Sequence, residues 1–264
     1  MARKLGGDED LTGTTAKSLN KALDILIALG KVPDGMNLAD IALIVKQPKT
    51  TAHRLLTTLE ARHFVRYEAA ERLWKIGIEA FVVGSAFLRN RDLVEIARPI
   101  LSLLMADTGE SASFYIEDEG EIVCLTQVET RHSMRVIARP GGRAKIHSSG
   151  SGKAILAHRT PAHVDEVIRR HGLPAATEKT LTTPHALRRS LEDVRSRGFA
   201  FDDEENALGI RCVAAPVFDH SGEVAGAISI SGPSSRVTPD RLEQLGQRLR
   251  AAAVALTSAI GGAI

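Results

Sequence analysis

Residues Gln47 to Leu59 read Gln-Pro-Lys-Thr-Thr-Ala-His-Arg-Leu-Leu-Thr-Thr-Leu. Pro48 suits the first turn of a helix, where a missing backbone N–H has no partner to lose. The turns that follow offer Lys49, Thr50, Thr51, His53 and Arg54. Leu55, Leu56 and Leu59 form a narrow apolar stripe behind them. Such a helix can be buried along one side only, and its polar end is left for a partner. It cannot be a core helix or a membrane span, and it suits insertion into a nucleic-acid groove.

The flanking segments agree. Ser18 reads as an N-cap, followed at helical spacing by Leu19, Ala22, Leu23, Leu26 and Ile27. Asn37 reads as the cap of a second, short helix, with Asp40 close to a capping-box position. About four residues separate that helix from the third, which is the helix-turn-helix arrangement. Phe64–Tyr67 and Arg72–Ile76 are short aromatic or β-branched runs around a polar break, a hairpin-sized pattern. The hairpin adds a wing, with Arg66, Arg72 and Lys75 as further candidate DNA contacts. Trp74 reads as a core anchor rather than a base stacker.

Charge supports the same segment. The 264-residue chain has a formal net charge of only +2. Between Lys46 and Lys75, however, seven basic residues face three acidic ones, so the excess is local. Two cysteines, Cys124 and Cys212, make neither a disulfide framework nor a zinc spacing and fit a reducing compartment. No apolar run approaches the roughly 18 residues of a membrane span. A cytoplasmic protein without metal or cofactor is the expectation.

Residues 1–14 read as a disordered arm, 15–77 as the winged helix-turn-helix domain, 78–91 as a linking helix and 92–264 as a second domain. In that domain strands are expected at 111–116, 121–127, 134–138, 200–202, 211–218 and 224–231. Helices are expected at 93–107, 151–157, 161–171, 184–197 and 239–260. Short turns between neighbouring strands imply a mostly antiparallel sheet with helices packed on it, an α+β class.

Three motifs there could carry chemistry. His147-Ser148-Ser149-Gly150-Ser151-Gly152-Lys153 is neither a P-loop nor a nucleophile elbow. Its Gly-Ser-Gly turn opens a helix and presents backbone N–H groups to an anion. The acidic run from Asp202 to Glu205 reads as a solvated loop rather than a metal site, with Asp202 able to point inward. Cys212 opens an apolar strand, where a buried inert thiol is the common case. Ser229 and Ser231 share one strand face and Ile228 and Ile230 the other.

The order and spacing of these pieces resemble the isocitrate-lyase-regulator (IclR) type of bacterial transcription factor over about residues 16–262. The likeness rests on Ser18 to Leu23, Pro48 to Leu56, Leu73 to Gly77, His147 to Ala154, Asp202 to Glu204 with Gly209 and Cys212, and Ser229 to Pro233. It implies a winged-helix DNA-binding domain, a linking helix and a GAF-like effector domain. It also implies homodimers or homotetramers on double-stranded operator DNA, controlled by a small organic acid such as glyoxylate or pyruvate. The resemblance places the effector on Gly150, Ser151, Asp202, Ile210, Cys212, Ser229 and Ser231. Repression is the leading reading, and activation by an aromatic or sugar acid the alternative. An enzyme using residues 147–153 and Cys212 is a second class, opposed by the lack of a complete nucleophile–base set. A ligand-free nucleic-acid module is a third. Two departures stand out: Val45-Lys46-Gln47-Pro48 replaces the family's usual Ala-Gly-Leu-Pro, and Gly150-Ser151 its Gly-Ala. A lysine in the left-handed conformation that such a glycine allows costs about 1 kcal/mol.

Overall fold

The structure, a computed structural model, describes residues 16–89 and 93–262, without the side chains of residues 85–89. The expected N-terminal arm, the expected boundary at Asn90–Asp92, and the side chains of Ser85, Ala86 and Leu88 lie outside the described residues. The chain divides into two compact units, Met1–Asn90 and Arg91–Ile264.

In the first unit, α1 (Lys17–Gly30), α2 (Leu38–Ile44) and α3 (Lys49–Ala61) precede a hairpin of β1 (Val65–Glu68) and β2 (Leu73–Ile76), then α4 (Ile78–Arg89). Helix α1 starts one residue before the expected cap: Ala16 takes the N-cap position with no side-chain bond, and its carbonyl accepts from Leu19 and Asn20. Asn37 caps α2 by accepting from the Ala39 and Asp40 N–H groups at 2.9 and 3.0 Å. Asp40 answers the Asn37 side chain at 2.7 Å rather than its backbone, so the motif is a variant of the capping box. Pro48 stands at the N-cap of α3, one residue outside the helix.

The α2–α3 turn is built around Lys46 at φ +51°, so a lysine does hold the left-handed position, at a cost of about 1–2 kcal/mol. Gln47, half-buried, closes the turn through N–H to Ala42 O at 2.9 Å and Nε2 to Val45 O at 3.3 Å. The side chain thus satisfies itself on the backbone instead of burying an apolar group. Ile25, Leu29, Ile41, Leu56, Val65 and Trp74 form the small core. Met36 and Trp74 exchange both backbone hydrogen bonds, at 2.9 and 2.8 Å, which ties the wing to the residue before α2. Trp74 is a core residue, 4% exposed.

The second unit starts with α5 (Leu93–Thr108). It continues with β3 (Ser111–Asp118), β4 (Glu121–Val128), β5 (Arg143–Lys145), α6 (Gly150–Leu156), α7 (Pro161–His171) and α8 (Pro184–Arg197). Then follow β6 (Ala200–Asp203), β7 (Ile210–Phe218), β8 (Val224–Pro233), a short 3-10 turn and α9 (Leu242–Ala259). Six strands form one sheet in the order β5-β4-β3-β8-β7-β6, every neighbouring pair antiparallel. One face packs Phe114, Val213, Ile228 and Ile230 against Leu101 and Leu104 of α5 and Leu249 of α9. The other face packs Cys212, Ala214 and Ala227 against Ile155 of α6, Val164 of α7 and Leu187 of α8.

The expected strand at Met134–Ala138 is absent; these residues belong to an irregular loop. The outer edge of β4 is taken by β5 over Glu121–Val123 and by Gly141 and Gly142 at Cys124, and the rest of that edge carries no strand among the described residues. Met134 and Ile137 accordingly face solvent, and Ala138 is held by the Gln127 side chain at 2.8 Å.

Candidate functional site

The first unit gathers the expected DNA contacts at one end of α3 and on the hairpin. Ala52 and Leu56 are buried, and this fixes the rotation of α3. Lys49, Thr50, His53 and Arg54 are then exposed and Thr51 is half-buried. The His53 ring stands edge-on to Trp74, centroids 6.3 Å apart. Thr57 and Thr58 return their hydroxyls to the carbonyls of His53 and Arg54, so neither hydroxyl needs a partner from outside. On the hairpin, Arg66 is exposed and 3.7 Å from Glu68. Arg72 is exposed at the turn with φ +57°. Lys75 differs: it is half-buried and its ammonium is held by Glu71.

The second unit sets Asp202, Ile210, Cys212, Ser229 and Ser231 on β6, β7 and β8, and Gly150 and Ser151 in the first turn of α6. Antiparallel register carries a polar row across four strands: Asp202 opposite Cys212, Cys212 opposite Ser231, Ser231 opposite Ser111. Two residues along, Ala214 faces Ser229 and Ser229 faces Ser113. Ile210 lies at the start of β7, half-buried, opposite Pro233. Such cross-strand partners sit within direct side-chain reach.

Helix α6 is laid on this row closely enough to require glycine. Its cap is Ser149, whose hydroxyl accepts from Gly152 N–H at 3.0 Å. A Cβ on Gly150 would stand 3.0 Å from Cys212 Sγ. A Cβ on Gly152 would stand 2.0 Å from the Ile146 carbonyl oxygen. Ser151 is buried in the same turn. Two buried hydroxyls, Ser148 Oγ and Ser229 Oγ, have no hydrogen-bond partner within the protein. An unsatisfied buried hydroxyl costs on the order of 1–3 kcal/mol, and the Ser229 hydroxyl has only the weak Cys212 thiol to turn to.

Burial dominates the electrostatics. It pushes the Cys212 thiol up to about 11, with the Asp202 carboxyl adding to the effect and the hydroxyls of Ser231 and Ser229 opposing it. This thiol is a neutral, polarizable wall and not a nucleophile at neutral pH. Burial likewise raises the Asp202 carboxyl to about 7 against the pull of Lys153. Asp202 Oδ1 accepts from the Glu205 and Asn206 N–H groups at 2.7 and 3.3 Å, so it organises the following loop as well as facing the row. His147 is pulled down by burial while its Nε2 lies 3.2 Å from Pro174 O.

The acidic run is not the solvated loop expected from the sequence. Asp202 and Glu205 are buried. Asp203 pairs with Arg211 at 2.6 Å, and Glu204 with Lys179 at 2.9 Å. Among the described residues no group of three His, Cys, Asp or Glu is placed to hold a metal ion. Ser111 and Ser113 escape the sequence reading, and Lys153 and Glu205, though inside motifs it names, are not assigned to the site there. The first two repeat the Ser-x-Ser alternation of Ser229 and Ser231 and could have been noticed on that ground. Lys153 is 1% exposed and bonded to Glu205; its only trace is a lone charge in the run Gly152-Lys153-Ala154-Ile155-Leu156.

Comparison with known proteins agrees with this division. The family described as IclR helix-turn-helix domain matches residues 18–69, and the one described as Bacterial transcriptional regulator IclR C-terminal matches residues 85–258. The chain is 42% identical over 248 residues to the "Transcriptional repressor IclR" of Escherichia coli K12, covering 93% of this chain and 90% of that protein. It is 40% identical over 248 residues to the "Acetate operon repressor" of Salmonella typhimurium LT2, with the same coverage of 93% and 90%. The crystal structure of the Thermotoga maritima IclR protein superposes with a TM-score of 0.77 at 32% identity, over 92% of this chain and 98% of that one. Among the described residues no helix is long and apolar enough to cross a membrane.

Proposed function

The chain belongs to the IclR family of bacterial transcriptional regulators, and from that premise we propose that it is a cytoplasmic repressor released from its operator by a small organic acid of the glyoxylate or pyruvate type. It is a DNA-binding regulator and not an enzyme. Repression is supported by the names of relatives at 40% and 42% identity, both called repressors.

The observation that carries the reading is the in-register polar row of Asp202, Cys212 and Ser231 beneath the Gly150–Ser151 turn, with the unpartnered Ser229 hydroxyl beside it. The row offers hydroxyl donors, a neutral thiol and a carboxyl that burial raises to about 7. A small carboxylate or oxo group would satisfy the hydroxyls, and its charge would favour the protonated form of the Asp202 carboxyl. Occupation shifts the population of DNA-competent conformers by the effector's differential affinity for the two states.

On the DNA side, Lys49, Thr50, Thr51, His53 and Arg54 read the major groove, and Arg66 and Arg72 follow the backbone or the adjacent minor groove. Lys75, held by Glu71, contributes through charge. Arg54→Ala is expected to weaken operator binding by about 10–100-fold, the value of a good base contact of 1–3 kcal/mol, with an unchanged melting temperature. A gel-shift titration checks this; wild-type affinity would remove Arg54 from the interface.

Assembly as a homodimer, or a homotetramer built from dimers, is supported by apolar surface on the first unit. Leu19, Leu23 and Ile27 recur every fourth residue along α1, 57%, 47% and 52% exposed, and Ile78 and Phe81 of α4 are 66% and 69% exposed. Rows of this kind mark association surfaces. Leu23→Glu combined with Ile27→Glu is expected to halve the mass measured by sedimentation equilibrium; an unchanged mass would move the interface elsewhere.

A further inference from the structure

Between α3 and the hairpin of the first unit lies a cleft of about 790 Å³. One wall is a single stripe of α3, made of Lys49, His53, Thr57 and Glu60, and Thr50, Thr51 and Arg54 lie outside it. The other wall is set by strand register. Tyr67 is paired with Trp74 and Val65 with Ile76, so these four share one hairpin face. Burial of Val65 and Trp74 in the core with Leu56 turns that face toward α3. Arg66 and Lys75, paired with each other, belong to the opposite face. Tyr67 is the exposed residue of the face toward α3, 42% accessible.

The Tyr67 ring is fixed in place. It lies tilted against Trp74, centroids 4.9 Å apart, and its backbone N–H is held by Glu60 Oε1 at 3.1 Å. Its hydroxyl has no partner among the described residues. A tyrosine with its ring on an apolar neighbour and its hydroxyl in water is a donor that loses little entropy on binding. The charges of the cleft differ in what they are committed to. Glu71 is held by Lys75, and Glu60 by the Tyr67 N–H. Lys49 and Arg72, both exposed, make no ion pair among the described residues. With Lys75 included, three cations stand against two carboxylates.

We infer that this cleft takes a phosphodiester group of the DNA strand beside α3, with the Tyr67 hydroxyl donating to a phosphate oxygen and Lys49 and Arg72 supplying charge. Tyrosine hydroxyls and lysines bond phosphate oxygens and fix register without reading sequence. The inference rests on α3 as the recognition helix and divides its work between two stripes. The stripe of Lys49 and His53 follows the backbone, and the stripe of Thr50 and Arg54 is left to the base edges.

Fluorescence anisotropy tests this on two labelled duplexes, one of random sequence and one selected from a random library by the wild-type chain. Tyr67→Phe keeps the ring on Trp74 and removes the hydroxyl alone. It is expected to weaken both complexes by the same factor, roughly tenfold, with an unchanged melting temperature and an unchanged salt dependence. Lys49→Met is expected to weaken both as well, and to flatten the slope of log affinity against log salt by about 0.9, the share of one phosphate contact. Arg54→Ala should instead narrow the gap between the two duplexes. Wild-type affinity of Tyr67→Phe for the random duplex overturns the inference, and so does a loss confined to the selected duplex or a wild-type salt slope in Lys49→Met. An unchanged gap in Arg54→Ala overturns the recognition-helix reading instead, and the Tyr67→Phe titrations still decide the phosphate contact.

Discussion

Lys153→Met is expected to destabilise the second unit by about 3–5 kcal/mol, the usual cost of removing one partner from a buried ion pair. Lys153 is 1% exposed and Glu205 7%, so water does not reach in to replace the lost ammonium. Burial already raises the Glu205 carboxyl above its usual range, and Lys153 is the main opposing influence. Without the lysine, Glu205 protonates more readily, and Asp202 loses the same pull. The sign follows: a carboxyl raised in the folded state stabilises the fold only while protonated. The deficit of the variant should therefore shrink as pH falls through the raised value and widen above it. Chemical unfolding at two pH values measures this directly. A variant within about 1 kcal/mol of wild type at both would show that the pair contributes little. Lys153→Met with Glu205→Leu should recover much of the loss, because an apolar pair of similar volume leaves no charge to desolvate.

Gly152→Ala is expected to cost at least about 1–3 kcal/mol, the range for overpacking a core, and to weaken effector response more than it weakens folding. The new methyl group would stand 2.0 Å from Ile146 O and 2.6 Å from its carbonyl carbon. Those are backbone atoms, so no rotamer change relieves the clash. Either Ile146 or the start of α6 must retreat. The turn at Gly150–Ser151 would then lift from Cys212, from which Gly150 is separated by little more than a methyl group. Thermal unfolding together with a gel shift read against glyoxylate and pyruvate separates the two effects. Wild-type melting and wild-type release of DNA would show that the contact is relaxed at no cost.

Local chemistry was the most legible part of the sequence. The 3.6-residue periodicity, Asn37 as cap, Pro48 before α3 and the two short hairpin runs placed the helix-turn-helix and its wing to within a residue or two. The long strands β3, β4, β7 and β8 announced themselves by β-branched residues between Gly120 and Gly222 turns. Features set by distant partners were harder. Met134–Ala138 alternates like a strand, yet Ala138 bonds the side chains of Gln127 and Cys124 on β4 and not a strand backbone. The cap of α1 fell on Ala16 and not on Ser18, because the carbonyl of Ala16 suffices for Leu19 and Asn20. Lys153 and Glu205 are 52 residues apart, and neither looks buried until the other is found. Ser111 and Ser113 show the same Ser-x-Ser alternation as Ser229 and Ser231, but only the β3–β8 register sets the two pairs side by side.

The sheet of the second unit ends in strands of three and four residues, β5 and β6. Arg143 and Lys145 on β5 are drawn into ion pairs with Asp118 and Glu121, and Asp203 at the end of β6 is held by Arg211. Short, charged margins of this kind offer no template on which a foreign strand can grow. Growth of a fibre by strand addition at either margin of this sheet is accordingly disfavoured.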